Sequence, residues 1–212
     1  LFDWASVFAR PSAFHLSGTT PALSETCRAE SIAAVWAANA ARVPVFFDLN
    51  YRSKLWSEEQ ARACFVELAP MVDVMFASRG GLRTFFGIDG GHAEVMTAAR
   101  RRLGLAGVAL TRKKAKASRS LRLCALAMGA SGEAVETGWK DVEVVDRLGG
   151  GDAFAGGFIA GYLRDSEDLT LAANLGLAAS ALKHTMAGDF LCASRAEIEA
   201  AMAVGEGGVL QR

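Results

Sequence analysis

Residues 144–158 read VVDRLGGGDAFAGGF, in which three consecutive glycines stand directly ahead of one carboxylate and an apolar run follows. Backbone N–H groups that open a helix have no partner inside it. The turn around Gly149, Gly150 and Gly151, with the amides on to Ala153, is therefore a candidate anion hole. Glycine suits such a turn because it adopts positive φ and carries no Cβ to hold a phosphate off the backbone. An acid beside the turn is placed to steer a hydroxyl toward a phosphoryl group bound there, which makes Asp152 the candidate catalytic residue. The dipole that attracts the anion also keeps Asp152 ionised and weakly basic, so its expected part is orientation and late proton acceptance. The same four letters also fit a plain tight turn with a first-turn acid favoured by the dipole.

The run that follows favours function. Ala153, Ala155, Gly156, Gly157, Ala160 and Gly161 alternate with Phe154, Phe158, Ile159 and Tyr162, predicting a helix over about 152–163 that is apolar nearly all round. Such a helix is expected to lie buried, holding its N-terminus rigidly where a sheet ends. Two commoner phosphate motifs fail on the letters. G-x-G-x-x-G from Gly149 needs glycine at 154, where Phe154 stands, and G-x-x-x-x-G-K-[ST] needs Lys after Gly156, where Gly157 stands. The first failure disfavours a nicotinamide oxidoreductase.

Alternating elements must position this turn. Residues 24–42 predict a helix capped by Ser24 with Ile32, Val35 and Trp36 on one face. Val43–Phe47 is a buried strand ending at Asp48, followed by a helix over 57–69, a strand over 72–77, a helix over about 92–103 and a strand over 107–111. Further strands are expected at 121–128 and 142–145, joined through the ASGE turn. Helices follow at about 152–163, 170–185 and 195–203. This order predicts an α/β fold with a mostly parallel sheet covered by helices on both faces. No internal repeat or linker divides the 212 residues, so one domain over 1–212 is the simplest expectation.

Composition narrows the partners. Lys and Arg number 23 against 23 Asp and Glu, so no global field draws the chain to nucleic acid or anionic lipid. At 51% hydrophobic and 22% charged the chain suits a real core. No apolar run is long enough to span a bilayer and no signal peptide opens the chain, which leads us to expect a cytoplasmic protein without a membrane partner. Cys27, Cys64, Cys124 and Cys192 form no C-x-x-C pair and are expected to be four buried thiols rather than disulfides or a zinc site. Thr111 is expected to end a strand ahead of RKKAKASRS, where most of Arg112, Lys113, Lys114, Lys116 and Arg119 read as a solvated loop. A nucleic-acid patch is disfavoured because no aromatic residue interleaves these charges.

The stretch Asp146-Arg147-Leu148-Gly149-Gly150-Gly151-Asp152-Ala153-Phe154-Ala155-Gly156-Gly157 resembles the second signature of the ribokinase-like (PfkB) sugar kinases. HLSGTTPALSE at 15–25, FDLNYRSKLW at 47–56 and ALKHTMAGDF at 181–190 resemble the branch that acts on 2-keto-3-deoxygluconate, and the likeness covers essentially the whole chain. It implies a ribokinase-like three-layer fold and ATP-dependent phosphorylation of a sugar acid hydroxyl, 2-keto-3-deoxygluconate giving its 6-phosphate, with ATP and Mg2+ as cofactors. Asp152 would be the base and Asp189 would hold sugar hydroxyls. Asp48, Asn50 and Arg52 lie just past a strand's C-terminal end, where open α/β sheets bind ligands. A guanidinium grips a carboxylate bidentately, so Arg52 is the natural partner of a sugar acid, with Asn50 beside it; the resemblance implies the same role for Arg52. On the residues alone, Arg52 reads as a surface ion pair with a neighbouring acid and Asp189 as a simple turn residue.

Asn174 is the one amide inside LTLAANLGLAASAL and needs a buried partner or a ligand. The resemblance puts it near the nucleotide base, sets Thr111 and Ser78 beside the nucleotide together with Gly149 and Gly151, and brings one cation of the 112–119 stretch to phosphate. The family carries an acid three residues after the position of Ser78 that helps organise magnesium. Here Gly81 stands in its place, without a side-chain oxygen. Family members also carry roughly a hundred residues ahead of the stretch matching LFDW, a length ordinary for part of a domain. The fold expected here is thus ribokinase-like without the first strands and the β lid. Bared sheet edges suggest a homo-oligomer. A catalytically silent nucleotide-binding or assembly module of the same fold is the alternative to a kinase.

Overall fold

The computed structural model describes residues 2–205 and 209–210. Two compact units divide the chain, Leu1–Ala109 and Leu110–Arg212. Both are built of strands and helices, giving a mixed α/β fold with a central sheet.

In the first unit α1 (Trp4–Val7) leads to β1 (Phe14–Ser17), α2 (Glu25–Ala40), β2 (Val45–Asp48), α3 (Glu58–Leu68), a 3-10 turn (Ala69–Met71), β3 (Val74–Ala77), α4 (Arg79–Phe86) and α5 (His92–Leu103). β1, β2 and β3 pair in parallel, with Ser17 opposite Asp48 and Asp48 opposite Phe76. Val45, Phe46 and Phe47 are buried on both faces of the sheet, as a parallel strand between helices requires. The helix starts are written in the sequence. The Ser24 hydroxyl accepts from the Cys27 amide, and Ser57 with Gln60 forms a capping box on α3.

The face expected of α2 is corrected. It buries Ser31, Ala34, Val35 and Ala38, whereas Trp36 is 63% exposed. Small residues at this spacing let the helix lie close to the sheet, and the indole falls outside that stripe. α4 was not expected, because Gly80 and Gly81 conceal it. Ser78 caps its start, and Gly87 closes it in the left-handed conformation at φ 63°.

β4 (Gly107–Ala117) starts in the first unit and ends in the second. The second unit continues with β5 (Ser120–Met128), β6 (Ala134–Glu136), β7 (Lys140–Glu143), α6 (Gly150–Tyr162), α7 (Leu169–His184), α8 (Arg195–Ala203) and β8 (Val209–Leu210). β5 lies between β4 and β7 and runs antiparallel to β7 and β6, while β7 and β8 pair in parallel. The ASGE turn leads into the short β6, not directly into β7.

The strand expected to stop at Thr111 runs on through RKKAKA to Ala117, so these cations stand on a strand rather than in a loop. Their partners lie far off in sequence. Arg112, Lys114 and Arg122 gather at 4.9, 4.8 and 5.4 Å from the Trp139 ring. Arg112 also pairs with Glu136, and Asp141 receives Lys116 and Arg122.

The burial expected of α6 belongs instead to α7. Nearly every residue of α7 from Ala172 to His184 is buried. α6 buries Phe154, Ala155, Phe158 and Gly161, and leaves Gly151, Asp152, Gly156 and Ala160 exposed along the opposite side. The two helices approach closely at glycines, since a Cβ at Gly161 would fall 2.5 Å from the Ala172 Cα and one at Gly176 would fall 2.9 Å from the Phe154 ring. Nothing larger than hydrogen fits there. The N-terminus of α6 is thereby fixed against a buried helix, as the sequence led us to expect by a different route. Among the described residues no helix is long and apolar enough to cross a membrane.

Candidate functional site

Gly149 stands at the N-cap of α6 with φ 71°, and the first bond of the helix runs from Ala153 N to Gly149 O at 2.8 Å. The Ala153 amide is therefore used inside the helix, which corrects its inclusion in the anion hole. The helix ladder takes neither the Gly150 nor the Gly151 amide. Gly151 has open space on its Cβ side, and Asp152 is exposed one residue further along the first turn.

A second segment, 184–189, holds this turn from behind. The His184 carbonyl accepts from the Val145 and Asp146 amides at 2.8 and 3.2 Å. Asp146 then uses both carboxylate oxygens, Oδ1 accepting from Leu148 N and Oδ2 from Gly188 N, each at 3.0 Å. The Leu148 amide chiefly, with the Gly188 and Arg147 amides and the positive charge of Lys183, holds the Asp146 carboxyl below the usual carboxylate range. The His184 ring packs under Gly150, where a Cβ would fall 2.3 Å from its Cε1. Its Nδ1 donates to Ser180 O at 2.6 Å, and burial pushes the imidazole pKa down.

These contacts bring Gly149, Asp152 and Asp189 onto one cleft of about 480 Å³. Its floor is the glycine and alanine side of α6, and Phe190, 79% exposed, stands at its wall. Two carboxylates over a helix N-terminus can accept hydroxyl protons and hydrogen bonds beside a bound anion.

A protein-family model described as pfkB family carbohydrate kinase matches residues 3–195. The chain belongs to this family. It is 34% identical over 198 residues to 2-dehydro-3-deoxygalactonokinase of Haloferax volcanii, which covers 93% of this chain and 59% of that protein. Among solved structures, 2-dehydro-3-deoxygluconokinase from Thermotoga maritima superposes with TM-score 0.89 at 30% identity, covering 95% of this chain and 62% of the other. A PfkB family carbohydrate kinase from Listeria grayi gives TM-score 0.87 at 26% identity, covering 94% and 63%. The chain thus spans roughly three fifths of the length of these relatives.

The other residues singled out in this pfkB chain are not among those that line the cleft. In the first unit Asn50 follows β2 with φ 31°, a left-handed conformation that asparagine tolerates. Its amide N donates to Asp48 Oδ1 and its Nδ2 to Ser17 Oγ, both at 3.0 Å, and Ser17 in turn meets Thr19 Oγ1 at 2.9 Å. Arg52 is exposed and has no salt-bridge partner among the described residues, so the surface ion pair considered for it is not formed. The Ser78 hydroxyl accepts from Gly81 N at 3.0 Å and is a helix cap.

In the second unit Thr111 is half-buried in mid-strand and does not line the cleft. Asn174 is half-buried, and its Nδ2 donates to Thr170 O at 2.8 Å inside α7, so the partner it was expected to need is its own helix. It also stands off the cleft. Three residues that hold the turn, Asp146, Lys183 and His184, received no role from sequence. Asp146 opens the pfkB signature, and the spacing of an acid six residues before Asp152 was the one available signal.

Proposed function

We propose that the chain carries the phosphoryl-transfer centre of an ATP-dependent kinase for a 2-keto-3-deoxy sugar acid of gluconate or galactonate configuration. The observation that carries this reading is the helix N-terminus at Gly149–Gly151 with Asp152 and Asp189 on the same cleft. Membership of the pfkB family supports sugar phosphorylation, and relatives at 34% and 30% identity carry the names of kinases for the two epimers.

In this reading the γ-phosphoryl group of ATP rests on the Gly150 and Gly151 amides. The acceptor hydroxyl lies against Asp152. As its oxygen bonds to phosphorus, the bond to the bridging oxygen of departing ADP breaks and the hydroxyl proton passes to Asp152. Asp189 holds a neighbouring hydroxyl of the acceptor. On their chemistry Arg52 and Asn50 are the candidates for the acid's carboxylate and hydroxyls, and Ser78, Thr111 and Asn174 those for the nucleotide. A dedicated magnesium cage does not fit the residues present. Gly81 supplies no side-chain oxygen, and no three His, Cys, Asp or Glu side chains gather among the described residues. Mg2+ in the proposed reaction travels with the nucleotide phosphates.

Incubation of the chain with MgATP and each epimer tests the reading directly. ADP release is expected with at least one of them, and Asp152→Asn is expected to slow it by roughly 10²–10⁴-fold. Equal turnover by both proteins would remove Asp152 from the reaction. Gly81 favours one other reading, a nucleotide-binding or assembly module without transfer. Calorimetric ATP binding with no ADP formed from either sugar acid would select it.

A further inference from the structure

Lys183 is a fully buried lysine in the last turn of α7, with 0% of its surface exposed. Burying an ammonium is costly unless its protons and its charge are answered. Its Nζ donates to Met186 O at 3.0 Å, at the start of the loop that continues through Gly188 to Asp189. No carboxylate lies within salt-bridge distance of it among the described residues. Its charge is felt by Asp146, whose two oxygens already bind the Leu148 and Gly188 amides.

The charge thus sits where the two segments of the cleft are joined. Segment 146–149 runs into the bare end of α6. Segment 186–189 carries Asp189, and Gly149 packs directly on the Asp189 carbonyl. A packing role alone would be met by any side chain of similar length, such as methionine. A buried cation that holds the Met186 carbonyl fixes the loop whose Gly188 amide binds Asp146, and it adds positive potential on that side of the turn.

We infer that Lys183 is a positioning residue: its buried ammonium anchors the 186–189 loop on which the 146–149 turn is held through Asp146 and Gly149, and so raises the affinity of the α6 N-terminus for a phosphoryl group. This rests on the anion-binding reading of Gly149–Gly151 and goes beyond it by naming the charge that supports the turn.

The test uses the full chain and inorganic phosphate, followed by the amide NMR shifts of Gly150 and Gly151. Lys183→Met keeps the length of the side chain and removes the charge. It is expected to weaken phosphate about tenfold, the scale of one unit charge acting across a turn in a protein-like dielectric. Lys183→Ala is expected to recover part of the affinity with methylammonium and none with sodium at equal ionic strength. Phosphate binding by Lys183→Met equal to wild type overturns the inference while leaving the anion site intact. Phosphate shifts absent from the wild-type amides overturn the anion reading itself. Should the variants fail to fold, the wild-type Lys183 Nζ resonance decides: it is expected to shift on phosphate addition, and an unmoved resonance overturns the inference.

Discussion

A Cβ on Gly149 would fall 1.8 Å from the carbonyl oxygen of Asp189, so the turn that starts α6 and the loop that carries the second carboxylate meet backbone to backbone. Gly149 also holds φ 71°, which L side chains adopt at a cost. Gly149→Ala is therefore expected to destabilise the chain by about 2–4 kcal/mol, strain and overpacking together. Gly151→Ala meets nothing within 4 Å. It should leave stability near wild type and weaken phosphate, because its methyl intrudes on the anion side. Urea unfolding of the two variants checks this, and equal midpoints would show that the contact at 149 is loose.

His184 gives the fold a pH dependence with a defined sign. It is 1% exposed, and burial, aided by the charges of Lys113, Lys183 and Arg147, lowers its pKa further than the Ser180 carbonyl raises it. The folded chain then resists protonation that the unfolded chain accepts near the ordinary imidazole value of about 6.5. Stability is complete above that value and falls as pH drops below it, until the folded imidazole itself takes a proton. Urea midpoints at pH 7.5, 6.5 and 5.5 should decline for wild type and flatten for His184→Gln. A wild-type midpoint constant over that range would contradict the buried neutral ring.

Local signals made much of this fold readable. Ser24 and Ser57 announce α2 and α3 because a hydroxyl one residue ahead of an apolar period satisfies a bare amide, and VPVFFD reads as a strand because it is too short for a helix. What escaped was set by partners distant in sequence. β4 runs through RKKAKA because Trp139, Glu136 and Asp141 receive its cations, and no window of sequence around 112–117 contains them. α6 and α7 look equally apolar, and only the sheet and helices around them decide that α7 is enclosed while α6 keeps one side bare. The site followed the same rule. GGGD reads as an anion turn by its own chemistry, whereas His184 acts through its packing on Gly150 and Lys183 through a loop that binds Asp146, some thirty-five residues earlier in the chain.

The cysteines differ more than composition suggested. None of the four forms a disulfide, yet Cys192 is exposed and Cys27 half-buried, which corrects the expectation of four buried groups. Cys64 lies on the buried face of α3, and burial pushes its thiol up to about 11. Burial raises the Cys124 thiol as well. A thiolate-selective reagent at pH 8 should label Cys192 first and Cys64 and Cys124 only with unfolding. Mass spectrometry of the peptides checks the order, and early labelling of Cys64 would contradict its enclosure.

Asp152 and Asp189 share a cleft but are held differently, and their kinetic roles should separate. Asp152 belongs to the first turn of a helix whose far side is packed on α7, so the backbone that carries it is held rigidly. Asp189 follows Gly188, at φ 82°, on a loop tied down through the Asp146 carboxylate. A group that takes the hydroxyl proton matters only as the oxygen attacks, so its loss lowers kcat. A group that holds a bystander hydroxyl binds substrate and transition state alike, so its loss raises KM. With MgATP and the accepted sugar acid, Asp152→Asn is expected to lower kcat by roughly 10²–10⁴-fold with little change in KM. Asp189→Asn should raise the sugar KM by about tenfold, the worth of one charged hydrogen bond, and leave kcat within a few-fold. Steady-state kinetics of both variants separates the roles. If Asp189→Asn instead abolishes kcat at unchanged KM, the proton passes to the loop carboxylate, and Asp152 serves only the field at the helix end.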